Sequence, residues 1–184
     1  MGGGTTIVEA VVSGRQAIGS DVNELAQFIT RVKTTPLSIQ DIAEIRDWVR
    51  NVQVEVVKTD TATLTTGSPV QNMPVETYSF FAVANKLVNN LRFPRQRRFA
   101  RCVLVRVGQW ALDARSDIPD TSLLCNELAK RVNGMVRGLD EFVSAAKAGS
   151  IRKNKITGTR RLFSYSAADA LLTQTLQQLS LIHI

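Results

Sequence analysis

The stretch LRFPRQRRFARCVLVR, residues 91–106, holds Arg92, Arg95, Arg97, Arg98, Arg101 and Arg106 and no acid. A guanidinium is planar, stays charged, and offers a fork of donors that fits phosphate in two-point contact. A row of such groups can neutralise a nucleic-acid backbone without reading its bases. The apolar residues threaded between the arginines imply an anchored element rather than a loose basic tail. The inventory for catalysis is thin. The single histidine is His183, so no His–Cys–Asp arrangement can be assembled without it. There is no Walker loop, no G-x-G-x-x-G and no D-x-D-x-D loop. Asp140 and Glu141 are adjacent and point apart on a helix. An enzyme is not expected, nor a metal or cofactor site.

Charge is unevenly spread. Between Glu76 and Asp113 the chain has Lys86 and the six arginines but no acid. Between Glu141 and Asp169 it has Lys147, Arg152, Lys153, Lys155, Arg160 and Arg161, again without an acid. These blocks carry +7 and +6 of a net +7, so the rest of the chain is net acidic. Two basic blocks on an acidic body favour a polyanion docking on one surface. Phe93, Phe99 and Trp110, the nearby aromatics, read as core rather than as base-stacking platforms. Backbone binding with little sequence preference follows. A helix-turn-helix is the competitor, but its second helix would carry Asp41, Glu44 and Asp47, a poor face for a major groove.

The elements that must position these arginines are mostly helical. Residues 21–33 form a helix with Asp21 and Glu24 at its start and Leu25, Phe28, Ile29 and Val32 on one face. Ser38 and Asp41 open a second helix to about Val52, striped by Ile42, Ile45, Val49 and Val52. Residues 54–66 are rich in β-branched and alternating polar residues, so an extended or small β segment is expected there. Helix returns over 77–91, with Phe80, Ala84, Leu87, Val88 and Leu91 in register, and Pro94 ends it. Over 99–114 strand propensity competes with the stripe Phe99, Val103, Val107, Trp110, Ala114, and the stripe favours helix. The longest helix spans about 121–148, with Leu124, Leu128, Val132, Met135, Leu139, Phe142 and Ala146 as a heptad-like seam. Gly134 and Gly138 lie on it and suit a close neighbour. A glycine-punctuated basic loop follows, then a helix over 167–179.

Residues 1–19 open with MGGGTTI. They fit the loose N-myristoylation pattern but read as a flexible arm. The core domain is expected over 20–165, and a C-terminal helix or tail over 166–184. The closing LSLIHI resembles translated sequencing-adapter read-through and carries no structural weight. No secretory signal is expected at the start. No apolar run approaches the ~20 residues of a membrane span. Cys102 and Cys125 belong to no C-x-x-C pair and read as reduced, mostly buried thiols.

Three stretches carry a resemblance: SDVNELAQFITRV with SIQDIAEIRDWVRNV, then RFPRQRRFARCVLVRVGQWALDAR, then ELAKRVNGMVRGLDEFVSAAKAGS with TGTRRLF. Together they resemble the coat proteins of rod-shaped plant RNA viruses, the tobacco mosaic virus type. The first looks like that family's short helix pair. The second is similar to its Arg-Phe-Pro and arginine-bearing radial segment. The third looks like its long radial helix, a glycine loop and an Arg-x-x-Phe ending, filled here by Arg160 and Phe163. The resemblance implies an all-α fold with a four-helix-bundle-like core, to which this chain adds an extra helix, 77–91 or 99–114. It implies a subunit that self-assembles in many copies around single-stranded RNA, in the virion and the host cytoplasm. RNA would meet Arg95, Arg97, Arg98 and Arg101, with Arg131 or Arg137 in support. Arg92 and Arg106 complete the basic set read from the stretch itself. A flexuous-filament coat, a viral nucleoprotein, or a small RNA- or DNA-binding module that does not assemble are the alternatives.

Overall fold

The computed structural model describes residues 3–58, 73–113, 119–149 and 156–163. They form six helices and two short strands: α1 (Thr5–Val12), β1 (Gln16–Ser20), α2 (Glu24–Lys33), α3 (Ile39–Lys58), α4 (Val75–Val88), α5 (Pro94–Leu112), α6 (Thr121–Ala148) and β2 (Thr159–Phe163). The class is all-α with a small β element, as expected from the sequence. The chain divides into two compact units. One is Met1–Pro36 with Leu139–Ile184, and the other is Leu37–Gly138.

In the first unit, the stretch expected as a flexible arm is instead α1 and β1. Ile7 and Val11 of α1 are buried. β1 pairs in parallel with β2, Gln16 opposite Thr159 and Ser20 opposite Phe163. The segment 159–163 is therefore a strand, not part of a loop. Two glycines make the packing possible. Gly4 has φ +74°, and a Cβ there would stand 2.2 Å from the Thr30 hydroxyl. A Cβ on Gly158 would stand 2.3 Å from the Val11 carbonyl oxygen. The cap of α2 is Asn23 rather than Asp21: Asn23 Oδ1 accepts the Leu25 N–H at 2.9 Å, and Asp21 supports the Asn23 N–H. The apolar stripe is only partly inside, because Leu25 is 42% exposed while Gln27, Thr30 and Val32 are buried.

The second unit holds α3, α4, α5 and residues 121–138 of α6. Ser38 and Asp41 start α3 reciprocally: the Asp41 N–H donates to Ser38 Oγ, and the Ser38 N–H donates to Asp41 Oδ2. The expected extended segment is corrected over its first part, since α3 continues to Lys58 with Val52 and Val56 buried. Residues 59–66 lie outside the described residues, as do 166–184. Both candidate extra helices exist, as α4 and α5. Pro94 begins α5 rather than merely ending α4; its missing N–H is harmless in the first turn. The stripe decides α5 against strand propensity, with Phe99, Val103, Val107 and Ala111 all buried.

Chain direction follows from three contacts. Ser38–Asp41 at the start of α3 meets the start of α5 through Asp41, Arg95 and Gln96. The Trp48 indole N–H donates to the Ala84 carbonyl at 3.2 Å, tying α3 to α4. The short 89–93 connection sets α4 antiparallel to α5. The core between them is Ile45, Val52, Phe80, Ala84, Val88, Phe99 and Val103, each at most 2% exposed. Of the α6 seam, Leu124, Leu128 and Val132 are buried in this unit. Among the described residues, no helix is long and apolar enough to cross a membrane.

Candidate nucleic-acid interface

α5 carries Arg95, Arg97, Arg98, Arg101 and Arg106. Helical spacing splits them, so they do not form one ladder. Arg95 and Arg106, eleven residues apart, return to one side, while Arg97 and Arg101 share another with Arg98 between. Phe99 at 2% exposure and Ala100 at 0% belong to the buried face. Arg95 and Arg106 stand at the edge of that face, while Arg97, Arg98 and Arg101 point away from it.

Two of the eight sequence-predicted arginines meet acids. Arg95 Nε donates to Asp41 Oδ2 at 2.7 Å. Arg131 Nε donates to the buried Glu127 at 2.5 Å. The Asp41 carboxylate also accepts from the Ser38 N–H, the Ser38 hydroxyl and Gln96 Nε2, each at 2.8 Å. Burial alone would raise its pKa, but these bonds, led by that from Arg95, outweigh it and lower it from 3.8 to about 2. In return Asp41 raises the pKa of the Arg95 guanidinium. Arg95 is therefore engaged in holding α5 against α3.

Gln96, fully buried, is the centre of this joint. Its Oε1 accepts the Phe93 N–H at 2.8 Å, and its Nε2 donates to both Asp41 and Glu44 at 2.8 Å. The sequence reading passed over it, although glutamine three residues after the cap position is a helix-start signal.

The other six predicted arginines pair with no carboxylate among the described residues. Arg97 donates to the carbonyls of Leu91 and Arg92 at 2.7 and 3.1 Å, bracing the α4–α5 turn. Arg101 reaches Asn89 Oδ1 at 3.3 Å. The Arg92 and Arg95 guanidinium carbons lie 5.0 and 4.4 Å from the Phe93 ring centroid. Arg92 also lines a cleft with Glu44 and Asp47, acids that weaken it as a phosphate ligand. Arg98, Arg106 and Arg137 make no hydrogen bond or ion pair with described residues.

Trp110 is half-buried rather than core. It lines an open cleft of about 640 Å³ with Arg106, Gln109, Leu112, Asp113 and Arg131. Arg160 and Phe163 lie on β2 in the other unit; Arg160 Nη2 donates to Thr35 Oγ1 at 2.8 Å. Both cysteines are free, Cys102 buried and Cys125 half-buried, and burial pushes the Cys125 thiol up. No group of three or more potential metal ligands occurs among the described residues. No protein-family model matches the chain, and no curated protein or solved structure matches it.

Proposed function

We propose that the chain is a coat subunit, similar to those of rod-shaped plant RNA viruses, that assembles into a helical rod or filament around single-stranded RNA. The observation that carries this reading is the set of α5 arginines that pairs with no carboxylate among the described residues: Arg97, Arg98, Arg101 and Arg106. α5 itself holds no acidic residue, so nothing on it offsets these charges. Such a surface is stabilised by an external polyanion, and phosphate is the anion that arginine holds best. Acids at Asp41 and Glu127 fix the helices; the remaining cations are left for the ligand.

Self-assembly is supported by apolar side chains standing in solvent. Val57 is 85% exposed, Leu112 62%, Val54 50% and Leu123 49%. Val54 and Val57 close α3 and Leu112 closes α5, two helices whose starts meet at Asp41 and Arg95, so these three fall at one end of that pair; Ile39, 89% exposed, stands at the other. Burial between copies would remove that surface from water, and a repeated non-closing contact gives a filament. Electron microscopy of the purified protein with single-stranded RNA tests the reading. Rods or filaments are expected at low salt. Monodisperse monomers or dimers with RNA bound, across pH and salt, would instead indicate a binding module that does not assemble.

A further inference from the structure

The cleft beside Trp110 has a composition that the backbone-only reading does not use. It lies between the last turns of α5 and Arg131 of α6, and its volume of about 640 Å³ suits a small ligand or one residue of a polymer. We propose that it takes one nucleotide of a single-stranded nucleic acid, the base stacked on Trp110 and the phosphate held by Arg106 and Arg131. This rests on the RNA reading above and adds a base-contacting site to it.

Each wall has a distinct role. Arg106 is exposed and has no hydrogen-bond or ion-pair partner among the described residues, so its guanidinium is not committed to a carboxylate, although Asp113 lines the same cleft. Arg131 is pinned through Nε by Glu127, which leaves its two terminal nitrogens as donors. A guanidinium held at one edge is pre-organised for a phosphate at the other. Trp110 supplies an aromatic surface, and Leu112, 62% exposed, an apolar wall beside it. Free phosphate has no use for an aromatic wall, whereas a nucleotide has both a charged end and a flat apolar face. Asp113, at the same cleft, offsets part of the charge of the two arginines. It also offers an acceptor to an exocyclic amino group, which cytosine carries and uracil lacks.

The two tryptophans make the test direct. Trp48 is 2% exposed and bonded to Ala84, so a Trp48→Phe chain reports Trp110 alone. Its fluorescence is titrated with an oligocytidylate and with an abasic oligonucleotide of equal length, which keeps the phosphates and lacks the bases. The oligocytidylate should quench Trp110 and the abasic strand should not. Trp110→Leu should weaken the oligocytidylate about 5- to 150-fold, the range of one lost base stack, and leave the abasic strand unaffected. Arg106→Gln, a change at an exposed side chain that the fold does not use, should weaken both strands several-fold. Equal binding of the two strands with unchanged Trp110 emission overturns the nucleotide site while the phosphate-binding reading survives. So does unchanged oligocytidylate affinity in Arg106→Gln, should Trp110→Leu fail to fold. Binding of neither strand overturns both.

Discussion

Arg95 Nε lies 2.7 Å from Oδ2 of Asp41, a carboxylate 1% exposed and 54 residues earlier in the chain. That pair divides the arginine cluster by role. One arginine is committed inward, to a carboxylate that would otherwise be buried with fewer partners. Its neighbours Arg97, Arg98 and Arg101 pair with no carboxylate among the described residues, and in the proposed reading they are the ones that meet RNA phosphates.

The pair makes stability depend on acid pH in a defined window. The folded pKa of Asp41 is depressed from 3.8 to about 2, so the unfolded chain binds the proton more tightly. The stabilisation is fully present above about pH 4 to 5 and is lost as pH falls through the interval from 3.8 to about 2. A shift of this size corresponds to roughly 2 kcal/mol. Asp41→Asn should therefore lose about that much at pH 7 and show a flatter pH dependence below 4, read by urea unfolding at a series of pH values.

Gln96 should be less replaceable than its neighbours of higher charge. Gln96→Leu keeps much of the volume but strips partners from the Phe93 N–H, Asp41 and Glu44. A cost of about 2–3 kcal/mol is expected, in line with buried polar groups left unsatisfied. Arg98→Gln should cost under about 0.5 kcal/mol in the same denaturation assay.

Gly134 and Gly138 separate monomer stability from assembly. A Cβ at either position meets nothing within 4 Å among the described residues. Alanine at each should raise monomer stability by up to about 1 kcal/mol through helix propensity, seen as a higher Tm. If α6 meets a second copy through this face, the same substitutions lower the extent of rod formation while Tm rises.

Salt dependence checks the phosphate contacts. Log affinity for single-stranded RNA should fall linearly with log salt, at about 0.7 per neutralised phosphate. Arg98→Gln and Arg101→Gln should each reduce that slope by about 0.7 to 1. An unchanged slope in both variants would remove these residues from the interface.

The legible parts of the fold are those written in short-range pattern. The heptad-like seam set α6 at 121–148, and Ser38 with Asp41 marked the start of α3, because both signals are complete within a few residues. α5 was readable as a helix because its apolar stripe outweighed the strand propensity of Cys102–Val107. Where longer-range packing ruled, the sequence misled. Val54, Val56 and Val57 have strand propensity, but Val52 and Val56 bury on one side and carry α3 to Lys58. The β1–β2 pairing joins residues more than 140 positions apart and has no local signature, so 1–19 looked like a loose arm. At the candidate site, the arginines themselves were plain. That Arg95 pairs inward was not, because Asp41 is 54 residues away, although the Glu127–Arg131 pair, four residues apart on one helix, has a local signature. Trp110 on the predicted stripe gave no sign that it borders a cleft.

The central claim is that many copies of this chain enclose RNA, and ribonuclease protection measures that most directly. The purified protein is mixed with a long single-stranded RNA at low salt, treated with ribonuclease, and sedimented. Full-length RNA recovered in rapidly sedimenting rods, and lost when Arg98, Arg101 and Arg106 are together changed to Gln, is the predicted result. RNA digested to completion while the protein remains a monomer or dimer would contradict it.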